Sequence, residues 1–153
     1  ASRSLYNERL APSHFTAIKN ITEVALRAMS PGINDPATAL LAINYLLLLL
    51  AKRMELADQI HHSDEDKEVR VVQRLMPFST LLALHYAELR TYAAHDPAVA
   101  SRLLEGLDYL LQQPTSDAAN YEAIQRERNL LIEHATQLIK IEADYPHYRR
   151  QPA

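Results

Sequence analysis

The chain has no cysteine and only two glycines among its 153 residues. Without cysteine there is no disulfide, no thiolate zinc site and no cysteine nucleophile. That absence says little about compartment, because a chain without thiols suits any redox environment. With two glycines there is no glycine-rich phosphate loop, and no GxSxG turn occurs. An excess of positive charge is also missing: 16 Lys and Arg stand against 19 Asp and Glu, for a formal net charge of −3. With a pI near 6.2, there is no electrostatic case for nucleic acid. No signal-peptide pattern is visible at the N-terminus. The longest apolar stretch, Ala37 to Ala51, contains Thr38, Asn44 and Tyr45 and ends at Lys52-Arg53. It falls short of the roughly 20 residues that span a bilayer, and reads as a buried core helix.

What is present is leucine, alanine and helical periodicity. The length suits one domain, and the composition predicts an all-α protein. Ser13 reads as the cap of a first helix, about 14–29, with Phe15, Ile18, Ile21, Ala25, Leu26 and Met29 at helical spacing. A second helix is predicted from Pro36 to about Ile60, apolar all round from Tyr45 to Ala51. Such a helix is central in its fold or covered by a partner chain. Residues 61–68 read as a polar loop, and Val69 to Leu75 as a short β-branched extended segment. A third helix (about 79–94), a fourth (to about Gln112) and a fifth (about 117–143) follow. The fifth carries Tyr121, Ile124, Leu131, Ala135 and Leu138 on one face, with an i,i+4 pair Glu122–Arg126 on the other. Pro146 ends the order.

The segment Ala28-Met29-Ser30-Pro31-Gly32-Ile33-Asn34-Asp35-Pro36 concentrates turn chemistry between two helices. Gly32 is expected to take the left-handed conformation that closes the first helix, which Pro31 cannot continue. Asp35 is placed to cap the second helix, with Pro36 at its first position and Thr38 at its third. Much of the design recurs. Phe15 precedes Arg27 by twelve residues and Phe78 precedes Arg90 by twelve; each arginine is followed by a corner and an Asp-Pro start, at Asp35-Pro36 and Asp96-Pro97. The expected architecture is a bundle of about five helices, built from two similar helical hairpins (about 14–60 and 79–112) plus a long C-terminal helix.

The run Ala25-Leu26-Arg27-Ala28-Met29-Ser30-Pro31-Gly32-Ile33-Asn34-Asp35-Pro36, with Thr38-Ala39, resembles the hallmark of domain-of-unknown-function family 2254. Glu88-Leu89-Arg90-Thr91-Tyr92, followed by Asp96-Pro97-Ala98-Val99, is similar to that family's later helical hairpin. The likeness covers roughly residues 15–112. Two departures stand out: Glu23 where an aspartate is expected, and Ala37 where a bulkier residue is expected. The family comprises predicted bacterial membrane proteins in which transmembrane helices precede a soluble C-terminal region. The resemblance therefore implies an excised soluble domain. Residues 1–12 would be the end of a linker from the membrane, 13–145 the domain and 146–153 a tail. It implies a place at the bacterial inner membrane, on the cytoplasmic side. It carries no catalytic role to any position.

The candidate site is the corner: Arg27, Ser30, Gly32, Asn34, Asp35 and Thr38. A helix N-terminus with a nearby guanidinium suits a phosphate or carboxylate. Against that, Asp35 would already cap those amides and repel an anion, and Arg27 would pair with it or bind loop carbonyls. A partner surface is the third reading. His61-His62-Ser63-Asp64-Glu65-Asp66 has i,i+4 metal-ligand spacing only if the helix continues that far. No HExxH or Glu-x-x-His pattern occurs. No cofactor and no metal are expected. Two functions remain: a non-enzymatic, membrane-tethered assembly or regulatory domain that self-associates, or a small-molecule or anion-sensing (or enzymatic) domain with a pocket beside the Ser30–Pro36 corner.

Overall fold

The computed structural model describes residues 2–63, 69–93, 95–115 and 117–138. Among these residues the chain forms five helices and a two-stranded ribbon: α1 Ser2–Ala28, α2 Pro36–Met54, β1 Gln59–Ser63, β2 Val69–Arg74, α3 Phe78–Ala93, α4 Pro97–Leu111 and α5 Ala118–Leu138. The all-α bundle expected from composition and periodicity is the architecture observed.

Both Asp-Pro helix starts form as read. Asp35 accepts from the Thr38 amide at 3.1 Å. Asp96 accepts from the amides of Ala98 at 2.9 Å and Val99 at 3.1 Å. Each carboxylate satisfies donors that have no partner inside the helix, and each proline sits where its missing N–H costs nothing. The first helix differs from expectation. It begins at Ser2, so Ser13 lies inside α1 and does not cap it.

Helix contacts run α1–α2–α4–α5–α3 and back to α1, closing a ring around one core. The core is filled by Ile18 and Ala25 of α1, Ile43, Leu46 and Leu50 of α2, Leu81, Leu82, Tyr86 and Leu89 of α3, Leu103, Leu107 and Leu110 of α4, and Ile124 and Leu131 of α5. Each fully buried leucine contributes about 2 kcal/mol before conformational entropy is set against it. The two Asp-Pro units pack differently. α1 lies along α2, whereas α3 and α4 touch little and each packs on α5.

α2 and α4 run in the same direction: Asn44 meets Arg102 and Leu47 meets Gly106, one turn further along both helices. A Cβ at Gly106 would fall 2.5 Å from Leu47 Cδ1 and 2.9 Å from Cγ. Glycine permits this close approach.

α2 ends at Met54, six residues before the expected Ile60. The cause is Arg53, whose guanidinium is buried and needs acceptors. It donates to Leu56 O at 3.0 Å, to Asp58 Oδ1 at 2.5 Å and to Met76 O at 2.7 Å. The chain turns out of the helix to supply them. The extended segment expected at 69–75 is present as β2 and recruits β1 as an antiparallel partner, with Gln59 opposite Arg74 and His61 opposite Val72. The 61–68 loop therefore begins in a strand. Residues 64–68, including Asp64, Glu65 and Asp66 of the His-Asp cluster, and the tail 146–153 lie outside the described residues.

Candidate functional site

The corner between α1 and α2 is held by its own backbone. Ser30 N donates to Arg27 O at 3.1 Å, and Ser30 Oγ donates to the same oxygen at 2.7 Å. Ile33 N and Asn34 N both donate to Ser30 O, at 3.0 and 2.8 Å, and Asp35 N reaches back to Ala28 O at 2.7 Å. The left-handed residue is Asn34, at φ 46°, and Gly32 has a negative φ. The expected glycine switch is thus made two residues later, by a side chain type that tolerates this region. Gly32 instead faces open space, with no atom near where a Cβ would stand.

None of the six candidate residues lines the groove between α3 and α5 or the one along α5. Ser30 ties to Arg27 through the backbone oxygen only, and the Arg27 side chain is exposed. Among the described residues it forms no ion pair with Asp35. Asp35 spends both carboxylate oxygens on Thr38: Oδ1 on the amide and Oδ2 on the hydroxyl, the latter at 2.6 Å. The Thr38 hydroxyl and amide hold the Asp35 carboxyl below its ordinary value, so it is an anion at neutral pH. An anionic ligand approaching these amides would meet that charge first. Gly32, Asn34 and Thr38 are exposed, and the corner's backbone groups and the Asp35 carboxylate find partners within the corner itself.

The polar contacts that cross between helices lie elsewhere, and three of them use arginine. Arg90 donates to Glu127 at 2.6 Å, joining α3 to α5. Arg128 donates to Asp108 at 2.6 Å, joining α5 to α4. Arg102 donates through Nε to Asn44 Oδ1 at 2.5 Å, joining α4 to α2. Carboxylates rarely leave the surface of a folded chain. Glu127 is an exception, 5% exposed. Burial pushes its carboxyl above the usual range, opposed by the Arg90 charge.

An open groove of about 820 Å³ between α3 and α5 is lined by Ala83, Ala87 and Ala123 and by the Arg90–Glu127 pair. Glu122 and Arg126 line it and form no ion pair with each other among the described residues, contrary to the i,i+4 expectation. Two adjacent polar side chains of α3 are buried without hydrogen-bond partners among the described residues: both ring nitrogens of His85 and the hydroxyl of Tyr86. The His85 ring lies 6.4 Å from that of Phe15, tilted by 55°. Desolvation lowers its pKa. No group of metal-ligating side chains occurs among the described residues. His61 and His62 lie on a strand, which removes the helical spacing to Glu65 and Asp66.

The most conspicuous surface feature is on α2. Its buried face is core, yet Leu41, Tyr45 and Leu48 are 54–58% exposed on the opposite side. By length and composition alone this nineteen-residue helix is apolar enough to cross a membrane.

The corner with its Asp-Pro start falls within a wider match. The sequence profile of a family described as "Predicted membrane protein (DUF2254)" matches residues 10–109. The chain belongs to this family. Uncharacterized proteins of Mycobacterium bovis and Mycobacterium tuberculosis are each 29% identical over 130 residues, covering 83% of this chain and 24% of theirs. The chain thus spans about a quarter of the length of these relatives. No solved structure matches it.

Proposed function

We propose that this DUF2254 chain is a soluble assembly or regulatory domain of a larger bacterial integral membrane protein, and that it associates with itself. The observation that carries this reading is the α2 stripe. One helix supplies the core with Ile43, Leu46 and Leu50 and presents Leu41, Tyr45 and Leu48 to solvent. Large exposed apolar side chains occur elsewhere too, but these three stand in line on one helix face, which suits an interaction surface. The chain's quarter-length match to its relatives agrees with a domain inside a longer protein. In this reading the parent sits in the inner membrane and the domain faces the cytoplasm.

Sedimentation equilibrium at micromolar concentration tests the proposal. Self-association is expected, and a strictly monomeric profile would overturn it. The sensing alternative, with its pocket beside the Ser30–Pro36 corner, gains no support from a corner whose carboxylate is already engaged by Thr38.

A further inference from the structure

We infer that the seam between α1 and α3 is an acid-sensitive joint. His85 sits in it as a neutral ring against Phe15, and taking up a proton parts the N-terminal half of α1 from α3 while the rest of the bundle keeps its packing.

The helices close a ring, and among the described residues the α1–α3 contact is its slightest, since α1 lies mainly along α2. Within α1, Ile18 is the first described side chain to be fully buried. About a turn before it, Phe15 is 37% exposed and stands 6.4 Å from the His85 ring between centroids. His85 itself is 4% exposed, and neither of its nitrogens has a hydrogen-bond partner. A neutral imidazole can stay in such a place; an imidazolium, with a charge and two donors to satisfy, cannot. Phe15 is already near the surface, so the smallest movement that admits water to the ring is one at this seam. Freed of α3, the end of α1 frays, because a short stretch of unpacked helix is marginal in water.

The charges around the closed joint do not hold a proton on the ring. Glu88, exposed and three residues further along α3, acts on His85, and burial outweighs it. Glu127 of α5 and Arg102 of α4 act on the neighbouring Tyr86 hydroxyl. On α2, Arg53 is committed to Leu56, Asp58 and Met76. On α1, His14 adjoins Phe15, and Lys19, about a turn further on, is set 3.9 Å from Glu23. Once the seam parts, the imidazolium gains water, and Glu88 at i+3 is placed to pair with it. The closed joint is therefore complete above the ordinary histidine value and loosens as pH falls from there toward the folded-state value.

Amide hydrogen exchange of this chain tests the joint, with each rate corrected for the intrinsic effect of pH. Between about pH 7.5 and about pH 5.5 the amides of residues 14–17 are expected to exchange severalfold faster, with about tenfold the ceiling for one group of ordinary value near 6.5. They should also be less protected at every pH than the amides of Leu103 and Leu107 in the α4 core. His85→Leu should abolish the acceleration, and circular dichroism checks that the variant keeps its helices. Independently, Phe15→Ala uncovers the ring and should move the His85 titration, followed by NMR, up toward its ordinary value. Rates at 14–17 that ignore pH, or that respond equally in His85→Leu, overturn the joint. So does protection at 14–17 equal to that in α4, because the proton then enters only when the whole bundle unfolds. An unchanged His85 titration in Phe15→Ala overturns it as well.

Discussion

Leu47 lies so close to the backbone of Gly106 that a single methyl group there would overlap its isobutyl side chain. The contact sets how near α2 and α4 approach, and Leu47 is itself buried. Gly106→Ala is expected to destabilise the fold by about 1–3 kcal/mol, despite the helix propensity gained, because the core must shift to admit it. Chemical denaturation measures this. In a Leu47→Ala background the same change should cost much less, a coupling that a double-mutant cycle reads directly.

The two carboxylate caps differ in what they hold. Asp96→Ala should cost about 1 kcal/mol, as an ordinary lost cap. Asp35→Ala should lower the melting temperature as well. Asp35 is held below its ordinary value of 3.8 by Thr38. Its contribution is therefore complete above the unfolded-state value and disappears as pH falls through the folded-state value. Thr38→Val should weaken that acid dependence; melting curves across the acid range that superimpose on wild type would refute it.

At the corner, the residue that needs unusual backbone is Asn34. Asn34→Val is expected to cost about 1–2 kcal/mol, because a β-branched residue resists the left-handed region. Asn34→Gly should be nearly neutral. Gly32→Ala should be neutral or stabilising by up to about 1 kcal/mol, since its φ is negative and its surroundings are open. Thermal unfolding of the three variants distinguishes this from a corner that turns on its glycine.

His85 is buried with neither nitrogen bonded among the described residues, and its pKa is lowered by desolvation. A lowered histidine leaves the unfolded chain binding more protons. Stability is therefore full above the unfolded-state value of about 6.5 and falls as pH drops from there toward the folded-state value. The groups near the ring do not reverse this: Glu88 opposes the shift but is the smaller effect. His85→Leu should remove that slope and raise stability at neutral pH by about 1 kcal/mol, because an orphaned polar ring is replaced by an apolar group. Denaturation midpoints between pH 5 and 8, approximate bounds around the histidine range, are the measurement.

The features legible in the chain were those fixed locally. Asp35-Pro36 and Asp96-Pro97 announce helix starts because a cap is decided within four residues. Val69 to Arg74 reads as extended because its β-branched side chains fit a strand. Its partner, Gln59–Ser63, carries no such pattern and becomes a strand only by pairing. The Arg53 contacts that end α2 reach across 23 residues to Met76, and Arg90 reaches 37 residues to Glu127. No local window shows either. The left-handed position slipped from Gly32 to Asn34 because both types accept it, and only the closing Asp35–Ala28 hydrogen bond selects between them. Along α2 the sequence is apolar on every side. Which leucines face solvent depends on where α1 and α4 come to rest.

Arg53 has a mechanical consequence. Its guanidinium, rooted in α2, grips Asp58 just before β1 and Met76 just after β2. Both feet of the ribbon are thus tied to one side chain of α2. Losing that single guanidinium would release the two strand ends from the helix together.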